Sequence, residues 1–285
     1  MPDRTFRIAR IPRDQQPMVS EGLTLAREAG RLLSERFRRK ASVRFKGVAD
    51  IVTATDTAVQ RAMLKRLRRR FPEHGILAEE GVDTRSGTGW SWILDPLDGT
   101  KNFAQGIPNF CVSIAAERRG DLQFGVVFDP IHDELFLGVR GHGAWCNGRP
   151  IQVSRKTTLA SAFIGTGCPH RIRRFAKPVA RTFERMAIRT LGVRFRGVGA
   201  LDLCYVACGR LDGYWELDQS PWDIAAGALI VQEAGGRMSN FHGGRFDIFE
   251  AQTVASNGRI HPAMLSVLRM PGSLPRRYRP PVRRD

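Results

Sequence analysis

Apolar residues recur at helical spacing in the first long pattern of the chain, with Val19, Leu23, Ala26, Gly30, Leu33 and Phe37 on one face. Arg31, Arg36, Arg38, Arg39 and Lys40 crowd the last turns of this helix, where the helix dipole favours cations. A glycine-bearing and then strand-like stretch from Phe45 gives way to a second helix at Thr55 or Asp56. That helix turns Val59, Met63 and Leu67 inward and Arg61, Lys65, Arg66, Arg68, Arg69 and Arg70 outward, and Pro72 follows its end. Residues 75–78 read as a short strand delivering Glu79 and Glu80, and the polar 81–89 as a loop. Trp90, Trp92 and Leu94 then alternate with Ser91 and Ile93, the period of a strand, until Pro96 removes a backbone donor and stops the ladder. Asp95 and Asp98 are expected to emerge together at that strand end.

Residues 110–116, 123–128 and 134–139 continue as a meander of strands, broken at Arg119-Gly120-Asp121 and Asp129-Pro130. Asn147-Gly148 predicts a short hairpin, and Ser154 a cap on the helix or turn after it. Strands are then expected over 162–166, 192–196, 213–216 and 252–256. Between and after them come helices over 173–189 (very basic), 200–207, 222–234 (stopped by Gly235-Gly236) and 261–268. Such alternation predicts helices covering a sheet. The chain thus reads as an α+β half over 18–155 and an α/β half over 156–270, without an internal repeat. The basic lead, 1–17, and the Pro- and Arg-rich tail, 271–285, are expected to be disordered.

Composition narrows the class. Of 285 residues 42% are apolar and 26% charged, ordinary for a globular protein, and no apolar run approaches the ~18–20 residues of a membrane span. The 45 Lys and Arg against 28 Asp and Glu leave +17, enough to attract anionic substrates, nucleic acid or membrane surfaces. The lead carries +2 of this and the tail +4, so +11 stays on the body. Cys111, Cys146, Cys168, Cys204 and Cys208 show no CxxC spacing, which argues for a reducing compartment and against a disulfide framework. Cys204 and Cys208 read as core packing. The N-terminus has no apolar run of a secretory signal, so the cytoplasm is the expected location and no membrane partner is expected.

The chemistry centres on Asp95 and Asp98, since open α/β sheets place ligands outside the carboxyl ends of strands. Two acids this close repel unless a cation sits between them. Gly99 and Thr100 can present backbone N–H groups to a phosphate oxygen. Carboxylates suit a hard cation, so the pair reads as a magnesium site meeting a phosphate; the same residues also serve a plain Asx turn, and the segment alone supports both. Zinc is disfavoured because His74, His132, His142, His170, His242 and His261 form no ligand spacing. A phosphatase with an aspartyl nucleophile needs Asp-x-Asp-x-Thr, which the register of Asp95 and Asp98 excludes.

The run Trp92-Ile93-Leu94-Asp95-Pro96-Leu97-Asp98-Gly99-Thr100, followed by Asn102-Phe103, resembles the central motif of the inositol monophosphatase family, magnesium-dependent and lithium-sensitive phosphatases. Trp222-Asp223-Ile224-Ala225-Ala226-Gly227, continuing to Glu233-Ala234-Gly235-Gly236, resembles the segment that supplies the family's last metal ligand. The likeness runs from about Met18, a candidate translation start, to about Arg269, and points to the bacterial extragenic-suppressor type. It implies the sugar-phosphatase fold, a layered sandwich of alternating helices and sheets, with two to three Mg2+ ions and usually a homodimer.

By that resemblance Asp95 bridges two ions, Glu79 and the main-chain oxygen of Leu97 complete the first, and Asp98 and Asp223 hold the second. Glu79 with the Thr100 hydroxyl orients and deprotonates the attacking water, while the phosphate rests on the Gly99 and Thr100 amides against Leu97, Asp98 and Asp223. Asp56 braces the metal carboxylates, and Lys46 lies on a mobile loop at the mouth. On the residues alone Lys46 is equally a solvated loop lysine, Asp56 a helix N-cap, and Glu79 with Glu80 a solvated pair.

The resemblance assigns the substrate hydroxyls to Glu216, to the backbone at Gly197 to Gly199 and to Arg194. Phe195-Arg196-Gly197-Val198-Gly199 replaces a more polar run of the relatives, which leaves Arg196 as a substitute for Arg194. Read without the family, Glu216 is a strand-end charge and Arg194 a member of the basic surface. Asn102-Phe103 and Gly106-Ile107-Pro108 favour myo-inositol 1-phosphate as the substrate, whereas Lys101 suits nucleotide-phosphatase relatives. A sugar-bisphosphate or nucleotide (3′-phosphoadenosine-type) phosphatase is therefore the alternative. The basic faces over 61–70 and 171–189, with both tails, point to a further contact with RNA or the transcription complex, although no RNA-binding motif with interleaved aromatics is present.

Overall fold

The computed structural model describes residues 11–37, 43–45, 51–84, 86–169 and 171–269. Lys46, Arg38, Arg39, Lys40, His170 and the tail from residue 271 lie outside them. Helix α1 (Gln16–Phe37) buries Val19, Leu23, Ala26, Gly30 and Leu33, as their spacing predicts. The order begins before it. Ile11 is buried in the same core and its carbonyl accepts from Gln16 Nε2 at 2.8 Å, so the basic lead is packed from residue 11 rather than disordered through 17.

Strands β1 (Val43–Phe45) and β2 (Ile51–Thr53) pair antiparallel, and α2 (Ala54–Arg70) follows at once. Its N-cap is Thr53 rather than Asp56. Thr53 accepts from the amides of Thr55 and Asp56, while the Asp56 carboxylate, three residues on, accepts from the Thr53 amide at 3.0 Å. This reciprocal box satisfies amides that a helix start otherwise leaves open.

Next come β3 (Gly75–Ala78), β4 (Val82–Thr84), β5 (Trp90–Asp98) and the one-turn helix α3 (Thr100–Ala104). The stretch expected as a polar loop thus contains β4, a three-residue edge strand too short to show a period. Pro96 does not end β5. Pairing with β6 (Cys111–Arg118) runs through Asp95↔Ser113 and resumes at Asp98↔Cys111, so Pro96 falls in an irregularity where its missing N–H forfeits no ladder bond. Strands β7 (Asp121–Asp129), β8 (Glu134–Val139), β9 (Gly143–Cys146) and β10 (Arg149–Pro150) complete an eight-stranded sheet of order β10-β9-β8-β7-β6-β5-β3-β4. The β9–β10 hairpin turns on Asn147 and Gly148, both at positive φ, as that dipeptide predicts.

Residues 151–158 form no helix or strand, and Ser154 caps nothing; its hydroxyl donates to Asp212 Oδ1 at 2.5 Å. The remaining elements are β11 (Phe163–Thr166), α4 (Ile172–Ala187), β12 (Gly192–Phe195), α5 (Gly199–Ala207), β13 (Gly213–Leu217), α6 (Pro221–Glu233), β14 (Arg237–Ser239), β15 (Gln252–Ser256) and α7 (His261–Leu268). Their strands make a five-stranded sheet of order β12-β11-β13-β15-β14.

The helices alternate with the sheets in five layers. Helices α1 and α2 cover one face of the larger sheet over Trp92, Leu94, Phe124 and Val126. Helices α5 and α6 lie between the sheets, where Leu201, Cys204, Ile224 and Ile230 share a core with Ile93, Val127, Phe136, Tyr214 and Ala255. Helices α4 and α7 close the outer face of the smaller sheet through Met186 and Met264. Both faces of β5 are thereby buried, which is why its apolar run is nearly continuous. Helix α6 is apolar all round for the same reason. Among the described residues no helix is long and apolar enough to cross a membrane.

Helix α6 approaches β7 so closely that a Cβ on Gly125 would fall 2.6 Å from the Ala226 carbonyl oxygen and 2.7 Å from its Cα. Neither backbone can yield without parting two layers. Gly125→Ala is expected to destabilise the protein by about 1–3 kcal/mol, the usual cost of overpacking. Urea unfolding followed by circular dichroism checks this, and an unchanged midpoint contradicts it.

Candidate active site

Strands β3 and β5 run parallel and end side by side at Ala78↔Leu94, and the pairing is extended by Glu79 N–H donating to the Leu94 carbonyl at 3.2 Å. Glu79 from one strand end therefore meets Asp95, Leu97 and Asp98 from the other. The Asp95 carboxylate is 2% exposed and accepts the Leu97 amide at 2.9 Å. Asp98 Oδ2 accepts the Ala200 amide at 2.8 Å, a bond from the larger sheet to the first turn of α5. Asp223 sits in the first turn of α6, where it accepts the Ser220 amide at 2.8 Å in a second capping box.

Gly99 makes the turn between β5 and α3 at φ +96°. A Cβ there would also meet Val198 Cγ2 at 2.9 Å and the Asn109 carbonyl at 3.0 Å, so glycine is required twice over. The Thr100 hydroxyl lies 2.9 Å from Asp56 Oδ1 and 3.0 Å from the Leu97 carbonyl, one proton between two acceptors. Asp56 is fully buried behind it, and burial holds its carboxyl above the usual carboxylate range while the Thr53 and Thr100 hydroxyls pull the other way. Asn102 donates to the carbonyls of Asn109 and Arg196, both at 2.9 Å, pinning α3 to the turn before α5.

These groups enclose a cavity of about 250 Å³ lined by Glu79, Asp95, Leu97, Asp98, Gly99 and Thr100 together with Gly197, Gly199, Glu216 and Asp223. Its electrostatics are severe. Burial, then the charges of Glu79, Asp98 and Asp223, push the Asp95 pKa well up; burial and then Asp223 do the same to Asp98. Such a set demands protons or a cation. The donors are all oxygens, which fits a hard ion such as magnesium. Among the described residues no group of three or more His, Cys, Asp or Glu side chains is placed to hold a metal ion.

A sequence profile of the inositol monophosphatase family matches residues 14–270. The chain belongs to that family. It is 40% identical over 270 residues to the Nus factor SuhB of Pseudomonas aeruginosa, spanning 92% of this chain and 100% of that one. To the inositol-1-monophosphatase of Rhizobium meliloti it is 38% identical over 257 residues, spanning 90% and 94%. The extragenic suppressor protein suhB of Bartonella henselae superposes with a TM-score of 0.86 at 36% identity, covering 90% of this chain and 100% of that one.

As an inositol monophosphatase family member the chain keeps its sequence-predicted cavity residues together, with two departures among the described residues. Arg194 does not line the cavity; it is exposed on edge strand β12, its guanidinium 4.5 Å from the centre of the Phe163 ring. Arg196 does line it, but its Nε donates to Asp202 at 2.7 Å and its guanidinium lies 3.8 Å from the centre of the Tyr205 ring. Lys46 lies outside the described residues. Sequence reasoning passed over Tyr214 and Gln219, which contact each other beside Glu216. The signal was there: Tyr214 and Glu216 are two apart on a strand and so share a face.

A carboxyl whose pKa rises on folding stabilises the native state below its ordinary value and loses that contribution as pH climbs through the raised one. For Asp95 and Asp98 the loss starts above 3.8; for Glu216, pushed up by burial to about 8 from 4.5, it extends to about pH 8. Metal-free protein is therefore expected to melt at progressively lower temperature from about pH 4 to about pH 8. Magnesium should restore the loss, and Asp95→Asn should flatten the profile. Calorimetry in chelator with and without magnesium checks this, and a melting temperature rising throughout that range contradicts it.

Proposed function

We propose that this phosphomonoesterase hydrolyses myo-inositol 1-phosphate or a closely similar polyol phosphate to the free polyol and phosphate. The observation that carries the reading is one cavity lined both by the phosphate-directed Gly99 and Thr100 and by the half-buried acceptor Glu216. Glu79, Asp95, the Leu97 carbonyl, Asp98 and Asp223 would hold two to three magnesium ions, which supply Lewis acidity toward the ester and acidify water when bound.

The remaining work falls to the chain itself. The Gly99 and Thr100 amides, at the left-handed turn into α3, donate to the phosphate oxygens. The Thr100 hydroxyl, held between Asp56 and the Leu97 carbonyl, orients the attacking water together with Glu79, which takes its proton. Glu216 and the backbone from Gly197 to Gly199 position the hydroxyls of the leaving polyol. Water attacks phosphorus directly, and no covalent phosphoenzyme is expected. Lys101 also lines the cavity, and its charge acts on Glu216, which supports a sugar-bisphosphate or nucleotide phosphatase as the second reading.

Two partner readings accompany this one. The exposed Phe183, Ile188, Leu191 and Phe195, on or beside α4 and β12, support a homodimer. The exposed Arg173, Arg174, Lys177, Arg181 and Arg189 of the same region, and relatives that bear the name Nus factor, support an added contact with RNA or the transcription complex.

Phosphate release from a panel of inositol, fructose and nucleotide phosphates, with and without magnesium and lithium, tests the substrate. The inositol ester is expected to be preferred, with turnover dependent on magnesium and depressed by lithium; equal rates on all esters defeat the assignment. Thr100→Ala is expected to lower kcat on the order of 10²–10⁴-fold, the usual share of a positioned proton-transfer group, with the fold intact by circular dichroism. RNA binding by Asp95→Asn protein is expected to weaken steeply with salt, and a flat salt response removes that role.

A further inference from the structure

Gln219 belongs to neither family motif and has no part in the roles above. It lines the cavity at the joint between β13 and α6 and is only 4% exposed. Its Nε2 donates to the Tyr214 hydroxyl at 2.9 Å, and Tyr214 donates in turn to Glu216 Oε2. With Glu216 ionised, proton count fixes the direction of this relay: the phenol donates its one proton in a hydrogen bond to the carboxylate, and its oxygen is left to accept from an amide nitrogen. The Gln219 amide oxygen is thus committed to the other side, where it is buried without a hydrogen-bond partner. Buried acceptors are seldom left in that condition, and one at a cavity wall awaits a donor.

The surroundings are shaped for the relay. A Cβ on Gly199 would fall 2.7 Å from Gln219 Nε2 and 3.1 Å from the Tyr214 hydroxyl, and one on Gly167 would collide with the Glu216 carboxylate. Glu216 and the Gln219 amide lie on either side of a single phenol, with the Gln219 oxygen, a second acceptor, beyond its nitrogen. A ligand spanning them must offer two neighbouring O–H donors, which a cyclitol or sugar ring does and a phenyl ester does not.

We infer that Gln219 is a specificity-determining residue, its amide oxygen accepting from a substrate hydroxyl next to the one held by Glu216, so that the pair selects a vicinal diol. This rests on the polyol-phosphate reading and names the feature of the polyol that is recognised. The test is steady-state kinetics of the magnesium-loaded full chain on myo-inositol 1-phosphate and on phenyl phosphate. Gln219→Met, isosteric but without the acceptor, and Gln219→Leu are each expected to raise KM for the inositol ester about tenfold with kcat within about threefold, as for one hydrogen bond to a ligand. The kcat/KM ratio of inositol ester to phenyl ester should then fall about tenfold. An equal loss on both esters, or none on either, overturns the inference and leaves the inositol assignment standing. A wild-type enzyme with no preference for the inositol ester removes that assignment and this inference with it.

Discussion

Like charges forced into one buried cavity are the constraint on which the rest of this protein turns. Asp95, Asp98 and Asp223 are each steadied by a main-chain N–H, from Leu97, Ala200 and Ser220 respectively. Those donors belong to a strand irregularity, a helix start and a capping box, none of which depends on a flexible side chain. The acids are therefore held by the backbone, at a cost in stability that shows as raised pKa values at Asp95 and Asp98. Much of the surrounding architecture is explained by the need to carry that cost: a β5 buried on both faces, an all-apolar α6, and layers packed to backbone contact at Gly125.

The helices were legible where one face meets a core, because burial imposes a period. Val19 to Leu33 and Val59 to Leu67 show this directly. Residues inside the two motifs were also legible, because Asp95 to Thr100 and Trp222 to Gly227 resemble the motifs of the inositol monophosphatase family. What escaped was decided by partners distant in sequence. Pro96 stops a strand only if its nitrogen faces a neighbour's carbonyl, and β6 happens to lose register there. Ser154 found Asp212 instead of a helix start, and Ile11 found the α1 core, neither of which a local pattern announces. Arg194 and Arg196 looked interchangeable as letters. Strand β12 carries Arg194 at an exposed edge and ends at Phe195, so Arg196 lies beyond it, anchored by Asp202 and Tyr205.

The polar end of the cavity teaches a related lesson about glycine. Gly99 is held by a backbone conformation and by crowding, and its motif makes it conspicuous. Gly199 and Gly167 have negative or extended φ, and only their neighbours give them meaning. A sequence scan that looks for turns finds the first kind and misses the second, although both shape the same pocket.

The middle layer has a consequence for how the chain is born. The larger sheet is complete by residue 150, yet Ile93, Val127 and Phe136 on its inner face are covered only by α5 and α6, residues 199–233. During vectorial synthesis that apolar surface waits for residues 199–233 to leave the ribosome. The nascent first half therefore exposes this face until α5 and α6 pack against it.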